Sequence, residues 1–596
     1  MSEKIAIPEK SGLKTVIVGG VAGGASAAAR LRRLSESAHI VIFERSGFVS
    51  YANCGLPYFV GGAIESEAAL TLQTPESFWR RFQIDVRVGH EVTAIHRDKK
   101  TVTVRRLDTG ETWEEPYDRL ILAPGARPVR PQLPGMESSR IHTLRTVEDA
   151  LALKARAEGA SSAVVVGGGF IGVEAAENLR SKGLNVTLVE KQPQVLGQFD
   201  RDMVSYIHAH LRSKGIKLLL GCGVLGFEEI PLDAEIQINS ERKTEHKKVI
   251  RVAVEGQPEA LEADFAVLAL GVVPDSYLAK EAGLVLGPRG SIAVNDRMQT
   301  SDPDIYAVGD AAAVTHAVTG EKALISLAGP ANKQGRIAAD NIAGLDSRYC
   351  GAAGASIVKI FDLTAASVGL NERAAKAAGI EYEKVILCPA SHASYYPGGQ
   401  SMVMKVLFEP TSGRLLGAQI IGREGVDKRL DVLATALQAG MRVTALKELD
   451  LAYAPPFSSA KDPVNMAGFI SENVLTGKVH QFFVEDLPCL QRDDGVTLLD
   501  VRTDGEYRRG HAPGFETHIP LDSLRDNLHL LDKERPVYVM CQSGLRSYIA
   551  CRILSQNGFE CFNFAGGYGF YEANDRDRDL FSEYELKNFR TDCGIE

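Results

Sequence analysis

Two glycine-rich turns, each closing a β-branched strand and opening a helix, alanine-rich in the first, constrain this 596-residue chain more than any other feature. The first lies in Thr15-Val-Ile-Val-Gly-Gly-Val-Ala-Gly-Gly-Ala25 and is followed by a second strand, His39-Ile-Val-Ile-Phe-Glu44. The second lies in Ser162-Ala-Val-Val-Val-Gly-Gly-Gly-Phe-Ile-Gly-Val-Glu174 and is followed by Asn185-Val-Thr-Leu-Val-Glu190. Glycine at such a turn lets backbone amides approach a pyrophosphate at the helix N-terminus, and the acid ending the next strand accepts ribose hydroxyls. In the first unit Gly19, Gly20, Ala22, Gly23, Gly24, Glu44 and Arg45 form a candidate nucleotide site, with Val21 where the middle glycine usually stands. In the second, Gly167, Gly169 and Gly172 keep the strict spacing, with Glu190 and Lys191 ending the next strand. Two units imply two dinucleotides. Glu190 favours a free 2′-hydroxyl whereas Lys191 would meet a 2′-phosphate, so NADH and NADPH both stay open.

At ~100–200 residues per domain the length accommodates about three to five domains. With 45% hydrophobic and 24% charged residues the composition is that of an ordinary globular protein. A net charge of -9 lacks the positive field that sequence-independent nucleic-acid binding needs. No window reaches the ~18–20 apolar residues of a membrane span, and Met1-Ser-Glu-Lys-Ile-Ala-Ile-Pro8 has no apolar core, so a cytoplasmic protein is expected. Nine cysteines, an odd number without short paired spacings, are expected to be free thiols.

Further along lie Leu120-Ile-Leu-Ala-Pro-Gly-Ala-Arg-Pro128, Phe265-Ala-Val-Leu-Ala-Leu-Gly-Val-Val-Pro-Asp275 and Thr300-Ser-Asp-Pro-Asp-Ile-Tyr-Ala-Val-Gly-Asp310. Two dinucleotide units with a late Tyr-Ala-Val-Gly-Asp resemble the flavoprotein pyridine nucleotide-disulfide oxidoreductases. The resemblance implies an α/β chain with two Rossmann-like domains, for FAD and NAD(P)H, and an α+β dimerisation domain. FAD-binding segments are expected at 1–145 and 265–340, the NAD(P)H-binding domain at 146–264 and the interface domain at 345–475. The resemblance puts Asp310 on the flavin's ribityl chain; the plain alternative is a helix N-cap before Ala311. Residues 476–494, charged and proline-bearing, read as a linker before a last module at 495–596.

Gly47-Phe-Val-Ser-Tyr-Ala-Asn-Cys-Gly-Leu-Pro-Tyr58 holds a single cysteine, Cys54, with no second cysteine within five residues. An internal Cys-x-x-x-x-Cys disulfide is therefore excluded. The stretch resembles the coenzyme A-disulfide reductases, which implies that Cys54 cycles between a thiol and a mixed disulfide with coenzyme A. The same resemblance assigns Arg30, Arg33, Ser50 and Asn53 to coenzyme A, the guanidinium groups suiting its phosphates. The bland reading of Arg30, Arg32 and Arg33 is a solvated helix face. Ala22 stands where related peroxidases and oxidases carry a histidine, which argues against peroxide chemistry. Tyr395, in Ser394-Tyr-Tyr-Pro-Gly398, and Tyr453, in Leu451-Ala-Tyr-Ala-Pro-Pro456, match tyrosines that in these relatives reach the active cysteine of the opposite subunit, which implies a homodimer with shared sites.

The last module carries Thr497-Leu-Leu-Asp-Val-Arg502 and Pro536-Val-Tyr-Val-Met-Cys-Gln-Ser-Gly-Leu-Arg-Ser547. A strand delivers Cys541 to a loop that runs into a helix, where backbone amides and Arg546 would stabilise a thiolate. The module resembles rhodanese domains, which implies that Cys541 carries sulfane sulfur; Cys551 and Cys561 are expected to pack in the core. The whole chain is thus expected to be a FAD-dependent NAD(P)H oxidoreductase acting on coenzyme A disulfide, coenzyme A persulfide or polysulfide, with no metal. The alternatives are an NADH oxidase or peroxidase with a rhodanese appendage, and a sulfur-trafficking or redox-sensing carrier.

Overall fold

The β-branched run Thr15-Val-Ile-Val forms the strand Lys14–Val18, and its side chains are buried because strands and helices cover both of its faces. A computed structural model of the protein describes residues 12–238 and 241–579. The first eight residues used above and Cys593 therefore lie outside the described residues. The chain divides into two compact units, residues 1–191 with 215–354 and residues 192–214 with 355–596.

The first unit holds two parallel five-stranded sheets. One runs in the order Ile305–Ala307, Arg119–Leu122, Lys14–Val18, His39–Glu44, Asp85–Val88. The other runs Lys217–Leu220, Asn185–Glu190, Ser162–Val166, Phe265–Leu268, Ile141–His142. In each, the glycine turn follows the central strand and the neighbouring strand ends in its acid, so the two predicted dinucleotide folds are both present. One boundary shifts. Phe265–Leu268, expected to resume the first fold, is buried between Ser162–Val166 and Ile141–His142, so the second fold begins before residue 146 and ends after residue 264. Parallel pairing on both sides explains its unbroken apolar sequence.

In the second unit an antiparallel sheet runs Ser356–Ile360, Leu363–Gly369, Leu415–Gly422, Met402–Phe408, Glu383–Leu387, backed by the helix Val426–Gln438. A separate parallel sheet, His480–Phe482, Cys561–Phe564, Val537–Met540, Thr497–Asp500, Thr517–His518, carries the last module. The expected linker is corrected here. His480–Phe482 is an edge strand of that sheet, and Leu487 with Phe482 is buried against Phe515 and Phe564, because these apolar residues complete the module's core. Among the described residues no helix is long and apolar enough to cross a membrane, and none of the eight described cysteines is in a disulfide.

An ionic cluster pins the helix Arg201–Ser213 to the antiparallel sheet. Lys405, wholly buried, donates to both oxygens of Asp202 at 2.9 Å, pairs with Asp200 at 3.0 Å and also meets Glu372. Three nearby carboxylates hold its ammonium well above the usual lysine range despite burial, and the two lysines beside Glu372 bring that carboxyl down to about 2. Removing one partner of such a group leaves the others charged in a dry site. Lys405→Met is therefore expected to destabilise the second unit by about 3–5 kcal/mol, read as lost hydrogen-exchange protection in Met402–Phe408. Lys248→Ala, which breaks an exposed pair with Glu229, should leave that protection unchanged. Equal losses would show that the buried cluster is not what holds this packing.

Candidate functional site

The two glycine turns are built alike to a fraction of an ångström. Gly19 (φ +94°) and Gly167 (φ +107°) each turn a face to a carbonyl of the adjoining strand end, where a Cβ would lie 2.2 Å from the Ala123 oxygen and 2.3 Å from that of Ala269. Five residues on in each, Gly24 and Gly172 seat the helix on the turn so closely that a Cβ would fall 1.9 and 1.8 Å from the carbonyl oxygens of Gly19 and Gly167. No other residue fits. The strand-ending acids then take a turn amide: Gly20 N–H donates to Glu44 at 2.9 Å, and Gly168 N–H to Glu190 at 2.6 Å. Gly169, before the helix Phe170–Ser181, faces open space. Ala22 begins the helix Ala22–Leu34, and Gly23 packs under Val308. Arg45 pairs with Asp275 at 2.9 Å, and Lys191 is exposed beside Glu190.

Asp310 lies in a short 3-10 turn, Gly309–Ala311, and the alanines after it form the strand Ala312–Thr315. The helix N-cap reading of Asp310 therefore fails. Its carboxylate accepts from Arg145 at 2.8 Å. With its amide turned to suit both partners, Asn53 donates to the Arg145 carbonyl at 3.0 Å and accepts from the guanidinium at 3.2 Å. Arg145 thus ties the residue before Cys54 to Asp310.

Cys54 is exposed, in the 3-10 turn Asn53–Gly55 that leads into the helix Leu56–Gly61. On that helix Tyr58 donates to Glu174 of the second dinucleotide fold at 3.2 Å. Partial burial and the charges of Glu174 and Asp310 push the Cys54 thiol up, with Arg145 opposing them. Burial raises the Glu174 carboxyl to about 7, against the Tyr58 hydrogen bond that favours its ionised form. One turn therefore meets both nucleotide folds, with a carboxyl that changes charge at neutral pH beside a thiol.

A cavity of about 380 Å³ opens beside the helix Ala22–Leu34, lined by Arg30, Arg33, Ser50, Gln73, Phe78 and Arg336 among others. Ser50 holds a left-handed backbone (φ 47°) and hangs from the first turn, its amide donating to the Gly20 carbonyl at 2.9 Å. Arg30 is paired with Asp340 at 2.6 Å. Arg32 departs from the solvated-face reading: it is buried and donates to four backbone carbonyls, including Phe82 at 2.7 Å, because its helix position turns it inward. Three guanidinium groups around an apolar-floored cavity suit a polyanion with an aromatic or aliphatic part.

In the second unit Tyr395 and Tyr453 are exposed, their hydroxyls 2.6 Å apart. Cys541 follows the strand Val537–Met540 and is buried where its sulfur accepts from Gly544 N–H at 3.1 Å and Ser547 Oγ at 3.2 Å, at the mouth of the helix Leu545–Gln556. Arg546 makes two 2.7 Å bonds to Glu506, holding its carboxyl down at about 2. Cys551 and Cys561 are core residues. Arg145, Glu174, Tyr58 and Arg336 were not singled out in the sequence. Glu174 and Tyr58 could have been, since one sits two residues past Gly172 and the other ends the Gly47–Tyr58 stretch; Arg145 and Arg336 lie in no quoted motif.

Residues 13–335 match the pyridine nucleotide-disulphide oxidoreductase family, residues 355–463 its dimerisation domain, and residues 484–573 the rhodanese-like domain. The chain is 37% identical over 463 residues to a coenzyme A disulfide reductase of Staphylococcus aureus, covering 76% of this chain and 99% of the relative. The fold is similar to that of the reduced CoADR-RHD of Bacillus anthracis, with 44% identity, a TM-score of 0.89, and 96% of this chain and 100% of that one covered. It is also similar to a NAD-dependent persulfide reductase from A. fulgidus, with 36% identity, a TM-score of 0.85, and 94% and 100% covered.

Glu174→Gln removes a negative charge that opposes ionisation of Cys54. Alkylation of Cys54 by iodoacetamide, followed by peptide mass mapping to separate it from exposed Cys350 and Cys489, should be faster in the variant at pH 8. The difference should vanish well below pH 7, where the wild-type carboxyl is itself protonated. A variant indistinguishable at both pH values would remove Glu174 from the surroundings of the thiol.

Proposed function

The chain belongs to the pyridine nucleotide-disulphide oxidoreductase family, and we propose that it is a FAD-dependent NAD(P)H reductase of coenzyme A disulfide and coenzyme A persulfide, with a rhodanese module that carries sulfane sulfur. One observation carries the reading: a single thiol, Cys54, on a turn tied through Arg145 to Asp310 of one nucleotide fold and through Tyr58 to Glu174 of the other.

The residues present suit both cofactors. The Gly19–Gly24 turn, Glu44 and Asp310 would hold FAD, and the Gly167–Gly172 turn with Glu190 would hold NAD(P)H; Gly169 leaves the space that a pyrophosphate needs. FAD, when bound, supplies the two-electron chemistry that links a nicotinamide to sulfur. Arg33, Arg336 and Ser50 would seat coenzyme A in the cavity. Cys54 as thiolate would attack a substrate sulfur, forming a mixed disulfide and releasing a thiolate or sulfide. Glu174, ionising near pH 7, is placed to hold or pass the proton through Tyr58. Ala22 offers no proton donor for peroxide chemistry.

The dimerisation domain supports a homodimer in which exposed Tyr395 and Tyr453 serve the partner's Cys54 site. Their hydrogen-bonded hydroxyls would donate to a departing thiolate. That none of the eight described cysteines is in a disulfide fits a reducing, cytoplasmic setting. In the last module the donors around Cys541 would stabilise an anionic persulfide.

Steady-state oxidation of NADH and NADPH against coenzyme A disulfide, coenzyme A persulfide, polysulfide, oxygen and peroxide tests the reading. The first two acceptors should dominate. Cys54→Ser should lower turnover with them on the order of 10³-fold or more while the protein stays yellow. Oxygen or peroxide as the best acceptor, or a Cys54→Ser enzyme near the wild-type rate, would overturn it.

A further inference from the structure

Cys388 is the one described cysteine that the roles above leave unused yet that adjoins the Cys541 loop. It follows the strand Glu383–Leu387, is half-buried, and donates its thiol to the Gly566 carbonyl at 3.3 Å. The next residue, Gly567, presses on the loop so tightly that a Cβ there would lie 2.5 Å from the Ser543 nitrogen and 2.7 Å from the Cys541 oxygen. Tyr568 N–H then donates to that same Cys541 oxygen at 2.7 Å. Cys551 and Cys561 engage each other instead, the Cys561 thiol donating to the Cys551 carbonyl at 3.2 Å.

We propose that Cys388 resolves the persulfide carried by Cys541, forming a Cys388–Cys541 disulfide and releasing hydrogen sulfide. The proposal rests on Cys541 being a sulfane-sulfur carrier. In atoms, Cys541-S-S⁻ plus Cys388-SH gives Cys541-S-S-Cys388 plus HS⁻. The Cys388 proton passes to the terminal sulfur, the Cys388 sulfur bonds to the Cys541 sulfur, and the old S–S bond breaks toward the departing sulfide. The sulfane sulfur gains two electrons, and the two cysteine sulfurs together lose two. Burial and the neighbouring Cys541 charge push the Cys388 thiol up to about 12, so at rest it keeps the proton that this step delivers. A thiol held so high is a poor nucleophile toward solvent, but one bonded to the residue next to Gly567, which packs on the Cys541 loop, meets its partner within one chain rather than by diffusion.

Two coenzyme A thiols would reopen the bridge. The first attacks Cys388, the more accessible sulfur, and frees Cys541 into its ring of donors; the second frees Cys388 and leaves coenzyme A disulfide. That product is the substrate of the Cys54 site, so NAD(P)H would supply the electrons that release each sulfide.

The full-length enzyme is treated anaerobically with thiosulfate, with no small thiol present. Loading Cys541 releases sulfite; only the second step releases sulfide. The wild type should yield about one sulfide per sulfite and a disulfide-linked peptide pair containing Cys388 and Cys541 in non-reducing maps. Cys388→Ser should yield sulfite with at least tenfold less sulfide, keep a cyanide-labile sulfur on Cys541, and retain the wild-type rate with free coenzyme A disulfide. Wild-type sulfide release in that variant, or a stable Cys541 persulfide in the wild type with no linked peptides, overturns the role of Cys388. No sulfite from the wild type overturns the carrier reading and this proposal with it. The linked-peptide map needs no variant, so it decides the question even if Cys388→Ser fails to fold.

Discussion

Everything at the Cys54 site hangs from a backbone contact that only glycine allows. Where Gly24 meets the Gly19 carbonyl, the helix Ala22–Leu34 is drawn down onto the strand Lys14–Val18. That approach frees the Gly20 amide for Glu44, and Glu44 also accepts from Ser46 N–H at 2.9 Å. The Gly20 carbonyl in turn accepts from Ser50. The segment that ends at Cys54 is thus suspended from the nucleotide-binding turn by backbone bonds. The position of the thiol relative to that turn is thus set by a short chain of hydrogen bonds. A larger residue at Gly24 would cost both the cofactor site and the position of the thiol.

Around that thiol the charges are balanced rather than uniformly activating. Glu174 and Asp310 oppose its ionisation, while Arg145 favours it and at the same time neutralises Asp310. Because Glu174 titrates near 7, the balance shifts within the physiological range. A nucleotide or substrate that displaces Tyr58 from Glu174, or Arg145 from Asp310, therefore changes the reactivity of Cys54 without touching it.

The parts of this arrangement legible in the sequence are those fixed by local backbone demands. Gly19, Gly24, Gly167 and Gly172 announce their turns because no other residue fits, and Glu44 and Glu190 follow at one strand's remove. Cys541 was legible for the same reason, lying between a strand and a helix mouth. What escaped is long-range. Arg145 reaches Asp310 across 165 residues, and Arg336 enters the cavity from a different helix than Arg30; no local pattern encodes either. The boundary at Phe265–Leu268 was misplaced because an apolar run fits equally well in either of two parallel sheets. The 476–494 stretch reads as a linker because its charged residues outnumber Val479, Phe482 and Leu487, the three that bury.

The two candidate sulfur centres sit in opposite environments, and the contrast fits the different work proposed for them. Cys541 is surrounded by donors, Gly544 N–H and Ser547 Oγ, that stabilise negative charge on sulfur and would keep it there. Cys54 is exposed beside two carboxylates that make its anion less comfortable. A carrier must hold an anionic persulfide long enough to meet an acceptor, so stabilising the ground state serves it. A thiolate that must attack and later leave again in each turnover gains from the reverse, since an anion too well stabilised is a weak nucleophile. Joining both in one chain lets each sulfur keep the electrostatics that the other could not work in, with a small thiol able to move between them.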